Sequence, residues 1–278
     1  MTDESRIVQS YYDAGAELEW ERLEGFSFEF EITRRMMAKY MRPCGRVLDI
    51  GGGPGRYSLY LAEKGYEVTL VDLSEGNVAL AKAKAAERGL PLRAMQGDAR
   101  DLSMLGGEQF DYVLLMGPLY HIFRRGDRLR ALREARARTL ADGLVFAAFI
   151  QLFAGLGYFL SECPEHIVDE PQDKAEREAL LDYFDALLEG RTWCGPAFTQ
   201  ACFTDLREIR PLMREAGLRT LSLFGQEGVA ACNLRELTAL PEAARARWLE
   251  LGLRLCEREE FLSLSSHLMA VAERDGDV

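Results

Sequence analysis

The residues of this 278-residue chain best suited to chemistry begin with Val47-Leu48-Asp49-Ile50-Gly51-Gly52-Gly53-Pro54-Gly55, an apolar run that breaks into glycines. A strand-to-helix turn without side chains lets backbone approach a ligand closely, and the helix that follows offers unpaired N–H donors. The dinucleotide fingerprint G-x-G-x-x-G sets its third glycine three residues after the second, whereas Gly51, Gly53 and Gly55 are spaced by two, with Gly52 between. The phosphate-loop ending Gly-Lys-Ser/Thr is also absent, which argues against a nucleoside triphosphate. About twenty residues past the glycines, Val68-Thr69-Leu70-Val71-Asp72 ends on a carboxylate able to accept two hydrogen bonds from a ribose diol. Gly97-Asp98-Ala99 supplies a further carboxylate, suited to an adenine amino group. Taken alone, Asp72 fits either NAD or S-adenosylmethionine.

Met116-Gly117-Pro118-Leu119-Tyr120-His121 follows the next apolar run. His121 is the best-placed general base, with an intrinsic pKa of about 6.5, or else a loop histidine held by hydrogen bonds. Tyr120 forms a wall of the reacting site or packs. His166, beside Glu165 and near Asp169, reads as surface, and His267 as a satisfied core or sheet-edge residue. Histidines this far apart give no metal-ligand pattern. Tyr11, Tyr12 and Trp20 either close over a ligand as a lid or pack the first helix against the domain. Phe153, Tyr158, Phe159, Trp193 and Phe198 are candidates for an apolar substrate pocket.

These residues need a scaffold that brings strand ends together. Helices are expected from Glu4 to about Met41, then a strand Arg46 to Ile50, a helix at about Gly55 to Lys64, and a strand Glu67 to Asp72. A helix Glu75 to Arg88, strands Leu92 to Gly97 and Phe110 to Met116, a helix at about Asp127 to Leu140 and a strand Leu144 to Ile150 follow. This alternation means βαβ units and a parallel sheet. From about Gln151 to Thr204 the chain reads as mainly helical, clearest at Ala175 to Leu188. A helix Asp205 to Ala216, a strand Leu218 to Phe224, helices Leu234 to Leu240 and Glu242 to Glu259, and a strand His267 to Ala272 complete it. The N-terminal helices and the middle insert are expected to cover the sheet's carboxyl edge, where ligands of open α/β sheets bind.

Composition narrows the function. The net charge of -11 argues against a large nucleic-acid surface, which needs Lys and Arg to displace counterions. The arginine run Arg124, Arg125, Arg128, Arg130, Arg133, Arg136 and Arg138, broken by Asp127 and Glu134, reads as a solvated helix face. No apolar run approaches the roughly 20 residues of a membrane span, and the start MTDESRIVQSYY lacks a signal-peptide core, so a cytoplasmic protein is expected. Cys44, Cys163, Cys194, Cys202, Cys232 and Cys256 show no close zinc-type pairs and are expected as thiols, mostly buried.

The ordered set VLDIGGGPG, VTLVDLS, QGDARDL and FDYVLLMGPLYHI resembles the class I S-adenosylmethionine-dependent methyltransferases over about Val47 to Ile150. The resemblance implies a doubly wound α/β fold with a mostly parallel, seven-stranded Rossmann-like sheet, a helical N-terminal lid (1–42), a cofactor-binding core (43–150), a mainly helical substrate-cap insert (151–204) and a C-terminal completion of the sheet (205–278). It also implies that Asp49 lies near the methionine moiety, that Gly51, Gly52, Gly53 and Gly55 line the cofactor, and that Asp72 holds the ribose. Leu73 flanks the adenine, Asp98 with Ala99 reaches its amino edge, and Met116 with Gly117 passes beneath the sulfonium. Gly-Pro-Leu-Tyr-His replaces the Asn/Asp-Pro-Pro-Tyr/Phe signature of resembling enzymes that methylate amino groups of DNA bases and glutamine. The expected activity is methyl transfer to an oxygen, nitrogen or sulfur of a small molecule, with His121 and Tyr120 as catalytic residues and Tyr12, Trp20, Phe153 and Tyr158 as lid or substrate contacts. The alternatives are transfer to RNA or a protein side chain, and an NAD-dependent oxidoreductase or noncatalytic nucleotide-binding module.

Overall fold

The computed structural model describes residues 3–24, 27–162, 164–167 and 173–276. Phe26, Cys163, Asp169 and the side chain of His166 lie outside the described residues. Two helices come first, α1 (Asp3–Glu24) and α2 (Phe28–Tyr40). Ser27 starts α2 by accepting the Phe30 N–H on its hydroxyl at 3.3 Å, which satisfies one of the orphan donors of the first turn. Phe28, Ile32, Met36 and Met37 recur at helical spacing and bury one stripe of α2 against the sheet.

The chain then alternates through β1 (Arg46–Ile50), α3 (Arg56–Glu63), β2 (Glu67–Asp72), α4 (Glu75–Glu87), β3 (Leu92–Gln96), β4 (Phe110–Leu115), α5 (Arg125–Arg138) and β5 (Thr139–Gln151). These strands pair in parallel in the order β3-β2-β1-β4-β5. Helices cover both faces, so the central strands are apolar on both sides: Val47, Leu48, Val113, Leu114 and Leu115 are fully buried. The insert follows, with α6 (Ala154–Glu162), α7 (Lys174–Glu189), β6 (Trp193–Pro196) and β7 (Gln200–Thr204). Next come α8 (Leu206–Glu215), β8 (Leu218–Gly225), α9 (Leu234–Ala239), α10 (Glu242–Leu255), α11 (Glu259–Leu262) and β9 (His267–Arg274). β9 runs antiparallel between β5 and β8, so its first residue, His267, sits at the same edge as the carboxyl ends of the parallel strands.

The fold is the expected doubly wound α/β sheet, with nine strands among the described residues rather than seven. The additional pair is the hairpin β6–β7 inside the segment expected to be mainly helical. β7 joins β5 in parallel at Ile150 and Gln151. β9 already holds one edge of β5 at Ile150, and β4 pairs no further than Ala147, so β7 continues the β4 side beyond the end of β4. Two boundaries also differ. α5 stops at Arg138 and β5 begins at Thr139, running 13 residues through Asp142 and Gly143. The single helix expected from Glu242 to Glu259 breaks after Leu255.

The hairpin overturns one expectation about cysteine. Register places Cys194 opposite Cys202 with Cα atoms 4.0 Å apart, and the two form a disulfide rather than thiols. Cys44 and Cys232 are exposed and Cys256 is buried, so burial is not the rule for the free ones. The insert's aromatics form their own small core of Tyr183 and Trp193 with Phe159, Phe184 and Phe203. There Tyr183 donates its hydroxyl to the Leu152 carbonyl at 2.9 Å and accepts the Leu156 N–H at 2.7 Å. The arginine run is not simply a solvated face. Arg128 is buried, Arg125 pairs with Glu215 at 2.6 Å, and Arg136 donates to the Gly217 carbonyl at 2.9 Å. Among the described residues no helix is long and apolar enough to cross a membrane.

Candidate active site

A cavity of about 210 Å³ lies over the carboxyl ends of β1, β2, β3 and β4. Its floor is the turn after β1. Gly51 and Gly53 adopt φ of +73° and +57°, a region costly for any residue with a Cβ. A Cβ on Gly51 would stand 2.4 Å from Cδ of Pro118, and one on Gly52 would stand 2.6 Å from Oδ2 of Asp49. The turn after β1 therefore packs directly on the turn after β4. Gly51→Ala is expected to cost about 2 to 4 kcal/mol, combining left-handed strain with overpacking. Urea unfolding checks this, and an unchanged midpoint would show that the loop can relax. Gly55 does not line the cavity. It caps α3 at φ +93°, and its Cα faces Ala81 of α4, so its role is close helix packing.

Two carboxylates stand at this end, both buried. Oδ2 of Asp72 accepts the Gly53 N–H at 2.8 Å, and Oδ1 accepts from the Ser74 N–H at 2.9 Å and the Asn77 amide at 3.3 Å. Asp72 thus shapes the glycine turn and keeps a lone pair on Oδ2 for a ligand. Burial pushes its pKa above the usual range, with the Ser74 and Gly53 N–H groups pulling against that rise. Among the described residues Asp49 accepts only from Ser58 Oγ, at 2.7 Å, and burial pushes it up to about 7.

Leu73, Gly97, Asp98 and Ala99 form the far wall. Asp98 is gripped by Arg100, whose Nε reaches Oδ1 at 2.9 Å and whose Nη2 reaches Oδ2 at 2.5 Å. Burial raises the Asp98 pKa, but these bonds outweigh it and hold the carboxyl below its usual range. Arg100 also donates to Ser5 Oγ of α1 at 2.8 Å.

α1 roofs the cavity. Ser5, Val8, Gln9, Tyr12, Glu19, Arg22 and Leu23 lie along one face and line it. Asp13 of α1 ties the helix to the start of α4, accepting from Ser74 Oγ at 2.5 Å and the Gly76 N–H at 3.2 Å. Trp20 points elsewhere. It is buried among Ala16, Leu59, Leu80 and Ala85 and is a helix-packing residue outside the cavity.

Met116, Gly117, Tyr120 and His121 line the middle. His121 Nδ1 lies 2.7 Å from the Gln200 carbonyl, which can only accept, so Nδ1 carries the proton. Nε2 then accepts from the Tyr12 hydroxyl at 3.0 Å. Burial lowers the His121 pKa against the Gln200 bond, keeping the ring neutral at pH 7. Tyr120 stands edge-on to His121, and burial raises its own pKa. Phe153 and Tyr158 are exposed and outside the cavity, and among the described residues no side chain from 151–204 lines it. The insert contributes the Gln200 carbonyl and the Phe198 ring, whose centroid lies 5.7 Å from that of His121.

The outer half of the cavity is polar, and sequence reasoning missed it. Glu19, Arg22, Glu29, Arg56, Tyr57, Gln226 and His267 line it. Arg22 forks onto Glu19 at 2.9 and 2.6 Å, and Tyr57 donates to Glu29 at 3.2 Å. Gln226 is buried and donates to Thr33 Oγ1 at 3.0 Å. His267 pairs through Nδ1 with the buried carboxylate of Glu227. One signal was available: the first residue of an antiparallel last strand must sit at the parallel strands' carboxyl edge. Among the described residues no group of His, Cys, Asp and Glu side chains is arranged to hold a metal ion.

Residues 47–143 match a family model described as "Methyltransferase domain". A ubiquinone biosynthesis O-methyltransferase of Caulobacter sp. (strain K31) is 40% identical over 98 residues, 35% of this chain and 37% of that protein. A cypemycin N-terminal methyltransferase of Streptomyces sp. is 30% identical over 191 residues, 64% of this chain and 74% of that protein. The stretches shared with the Caulobacter protein and with a glycine/sarcosine N-methyltransferase of Parasynechococcus marenigrum span only 37% and 46% of their length. The fold matches the crystal structure of the Burkholderia thailandensis 1,6-didemethyltoxoflavin-N1-methyltransferase with bound 1,6-didemethyltoxoflavin and S-adenosylhomocysteine. The TM-score is 0.60 at 17% identity, covering 97% of this chain and 88% of that one.

Proposed function

Because the chain belongs to the class I S-adenosylmethionine-dependent methyltransferases, we propose that it transfers a methyl group to an oxygen, nitrogen or sulfur of a small molecule held in the outer half of the cavity. The observation that carries this reading is a single continuous cavity with two unlike ends. One end is glycine backbone and buried carboxylate, and the other is a cluster of charged side chains. The residues present fit the cofactor: the turn offers bare backbone to the cavity at Gly51, Gly52 and Gly53, and Asp72 keeps an acceptor for a ribose hydroxyl. S-adenosylmethionine supplies, when bound, a methyl group activated by a positively charged sulfur.

The chain's residues do the rest. Backbone at Gly51, Gly52 and Gly53 approaches the cofactor, Asp72 takes the ribose, and Leu73, Asp98 and Ala99 hold the adenine. Asp49 faces the positively charged methionine end, and Met116, Gly117 and Tyr120 line the junction of the two halves. The N-terminal segment 1–42 acts as the lid, 43–150 as the cofactor core, and 205–278 completes the sheet. The insert 151–204 acts as a cap through Gln200 and Phe198, which brace His121, rather than through Phe153 or Tyr158. Tyr12 and His121 latch the lid and exclude water.

A double-mutant cycle tests the latch. Tyr12→Phe and His121→Gln are each expected to weaken S-adenosylhomocysteine binding about fivefold, the worth of one net hydrogen bond of about 1 kcal/mol. The double variant should lose little more than either single one, because the two side chains share one interaction. Calorimetry reads this directly, and fully additive losses would show that the residues act separately.

A further inference from the structure

Two histidines reach the cavity in unlike surroundings. His121 commits both ring nitrogens, to Tyr12 and Gln200. His267 commits only Nδ1, to Glu227. Its Nε2 meets no protein partner among the described residues, and 34% of its side chain stays accessible where it lines the cavity. Glu227 is the reverse, with 4% of its side chain accessible. Its Oε2 accepts from Ser265 Oγ at 2.7 Å and from the His267 backbone N–H at 2.9 Å. Ser265 Oγ in turn accepts the Glu227 and Gly228 N–H groups at 3.2 and 3.1 Å. Every bond of the Glu227 carboxylate lies inside this network, so it orients the ring and fixes its proton on Nδ1.

The charges facing His267 come from several elements. They are Glu227 in the turn after β8, Glu29 on α2, the Glu19–Arg22 pair on α1 and Arg56 on α3, with the Tyr120 ring centroid at 6.2 Å. With neutral imidazole, three carboxylates stand against two guanidiniums, and a proton on Nε2 brings this half of the cavity to neutrality. Deepening the methyltransferase reading on which it rests, we propose that His267, oriented by Glu227, takes the proton of a hydroxyl acceptor, so that the reaction is O-methylation of a small phenol or enol.

The chemistry of the acceptor decides between the three candidate atoms. An amine can attack as the free base and shed its proton afterwards, and a thiol ionises near pH 8.5 unaided. A hydroxyl must lose its proton as its bond to carbon forms, so a base built beside the acceptor contributes most to a hydroxyl. The acceptor O–H bond breaks as the O–C bond forms, and the C–S bond breaks with its electron pair left on a neutral sulfur. The proton passes to Nε2 and then to water. Burial alone depresses a histidine, but the Glu227 carboxylate outweighs it and raises His267 to about 9. Neutral His267 is the form that takes the proton, so activity toward a weakly acidic hydroxyl climbs with pH up to about 9.

The test uses the full chain saturated with S-adenosylhomocysteine and three probes of equal ring size: phenol, benzylamine and benzenethiol. Calorimetry and the histidine Cε1–H resonances read binding, and methyl transfer is read with S-adenosylmethionine. Phenol is expected to bind, to move the His267 resonance and to be the methylated probe. His267→Asn keeps a donor toward Glu227 and removes Nε2; it should cut phenol methylation about 100-fold while S-adenosylhomocysteine affinity stays within twofold. Glu227→Gln should shift the rising pH limb from about 9 toward the ordinary histidine value of about 6.5. Methylation of benzylamine or benzenethiol in preference to phenol, full phenol activity in His267→Asn, or a His267 resonance blind to millimolar phenol would each overturn the proposal. Retained S-adenosylhomocysteine binding in those outcomes leaves the cofactor reading standing, and its loss in the unmodified protein would instead sink both.

Discussion

Asp72→Ala is expected to weaken S-adenosylhomocysteine binding by about 100- to 10,000-fold, as measured by titration calorimetry. A buried carboxylate with one acceptor position left for the ribose supplies one charge-assisted hydrogen bond of about 1.5 to 3 kcal/mol, and its removal leaves the Gly53 N–H unsatisfied at a further cost of about 1 to 3 kcal/mol. Asp72 does more than meet the ligand: through Gly53 and Ser74 it joins the glycine turn to the start of α4. Its removal therefore frees the Gly53 N–H as well as emptying the ribose position. Asp72→Asn should recover part of the turn geometry but not the charge, and should fall between the two. A dissociation constant unchanged in Asp72→Ala would mean the ribose lies elsewhere.

The second large effect is on pH dependence, through Asp49. Burial sets its pKa at about 7 in the folded chain, above the ordinary 3.8. The folded chain then holds a proton that the unfolded chain releases between about pH 4 and 7, so Asp49 stabilises the free protein fully below that window. This contribution is lost as pH rises through 7. A positively charged ligand reverses the preference, because it favours the ionised carboxylate. S-adenosylmethionine should bind about tenfold more weakly at pH 6 than near pH 8, and at pH 6 it should release close to one proton. Calorimetry in two buffers of different ionisation enthalpy reads that proton. Asp49→Asn should abolish both the release and the pH slope and weaken binding at pH 8 by about 150- to 5,000-fold, the usual cost of about 3 to 5 kcal/mol for removing one partner of a buried charge pair. A slope that survives in Asp49→Asn would assign the titration to another group.

The half of the cavity at the strand ends was legible because of how parallel sheets are built. Each βα turn delivers its ligand residues at a strand's carboxyl end, so Asp49, Gly51, Asp72, Asp98 and Met116 announce themselves in order along the sequence. The outer half is assembled from α1, α2, the turn after β8 and the first residue of β9, pieces far apart in the chain. Nothing local in the sequence marks Glu227 and His267 as partners, since only the pairing of β8 with β9 brings them together.

Helical phase separates Tyr12 from Trp20 on α1. At about 100° per residue, Glu19 lies within about 20° of Tyr12 around α1, while Trp20 lies about 80° away. The first pair faces the cavity and Trp20 faces α4. Aromatic content alone could not make that distinction. The β6–β7 hairpin was obscured differently. Strands of four and five residues, the first containing Gly195 and Pro196, have weak periodicity, and what defines them is their pairing with each other and that of β7 with the end of β5. The exposed Phe153 and Tyr158 drew attention as a substrate pocket, yet the insert buries its aromatics around Tyr183 instead.

The most direct measurement is titration of S-adenosylhomocysteine into the purified full chain, repeated with NAD present in excess. The cavity built on Gly51, Gly53 and Asp72 predicts saturable binding at one site that NAD leaves unchanged. No saturable heat, or displacement by NAD, would contradict the account at its base.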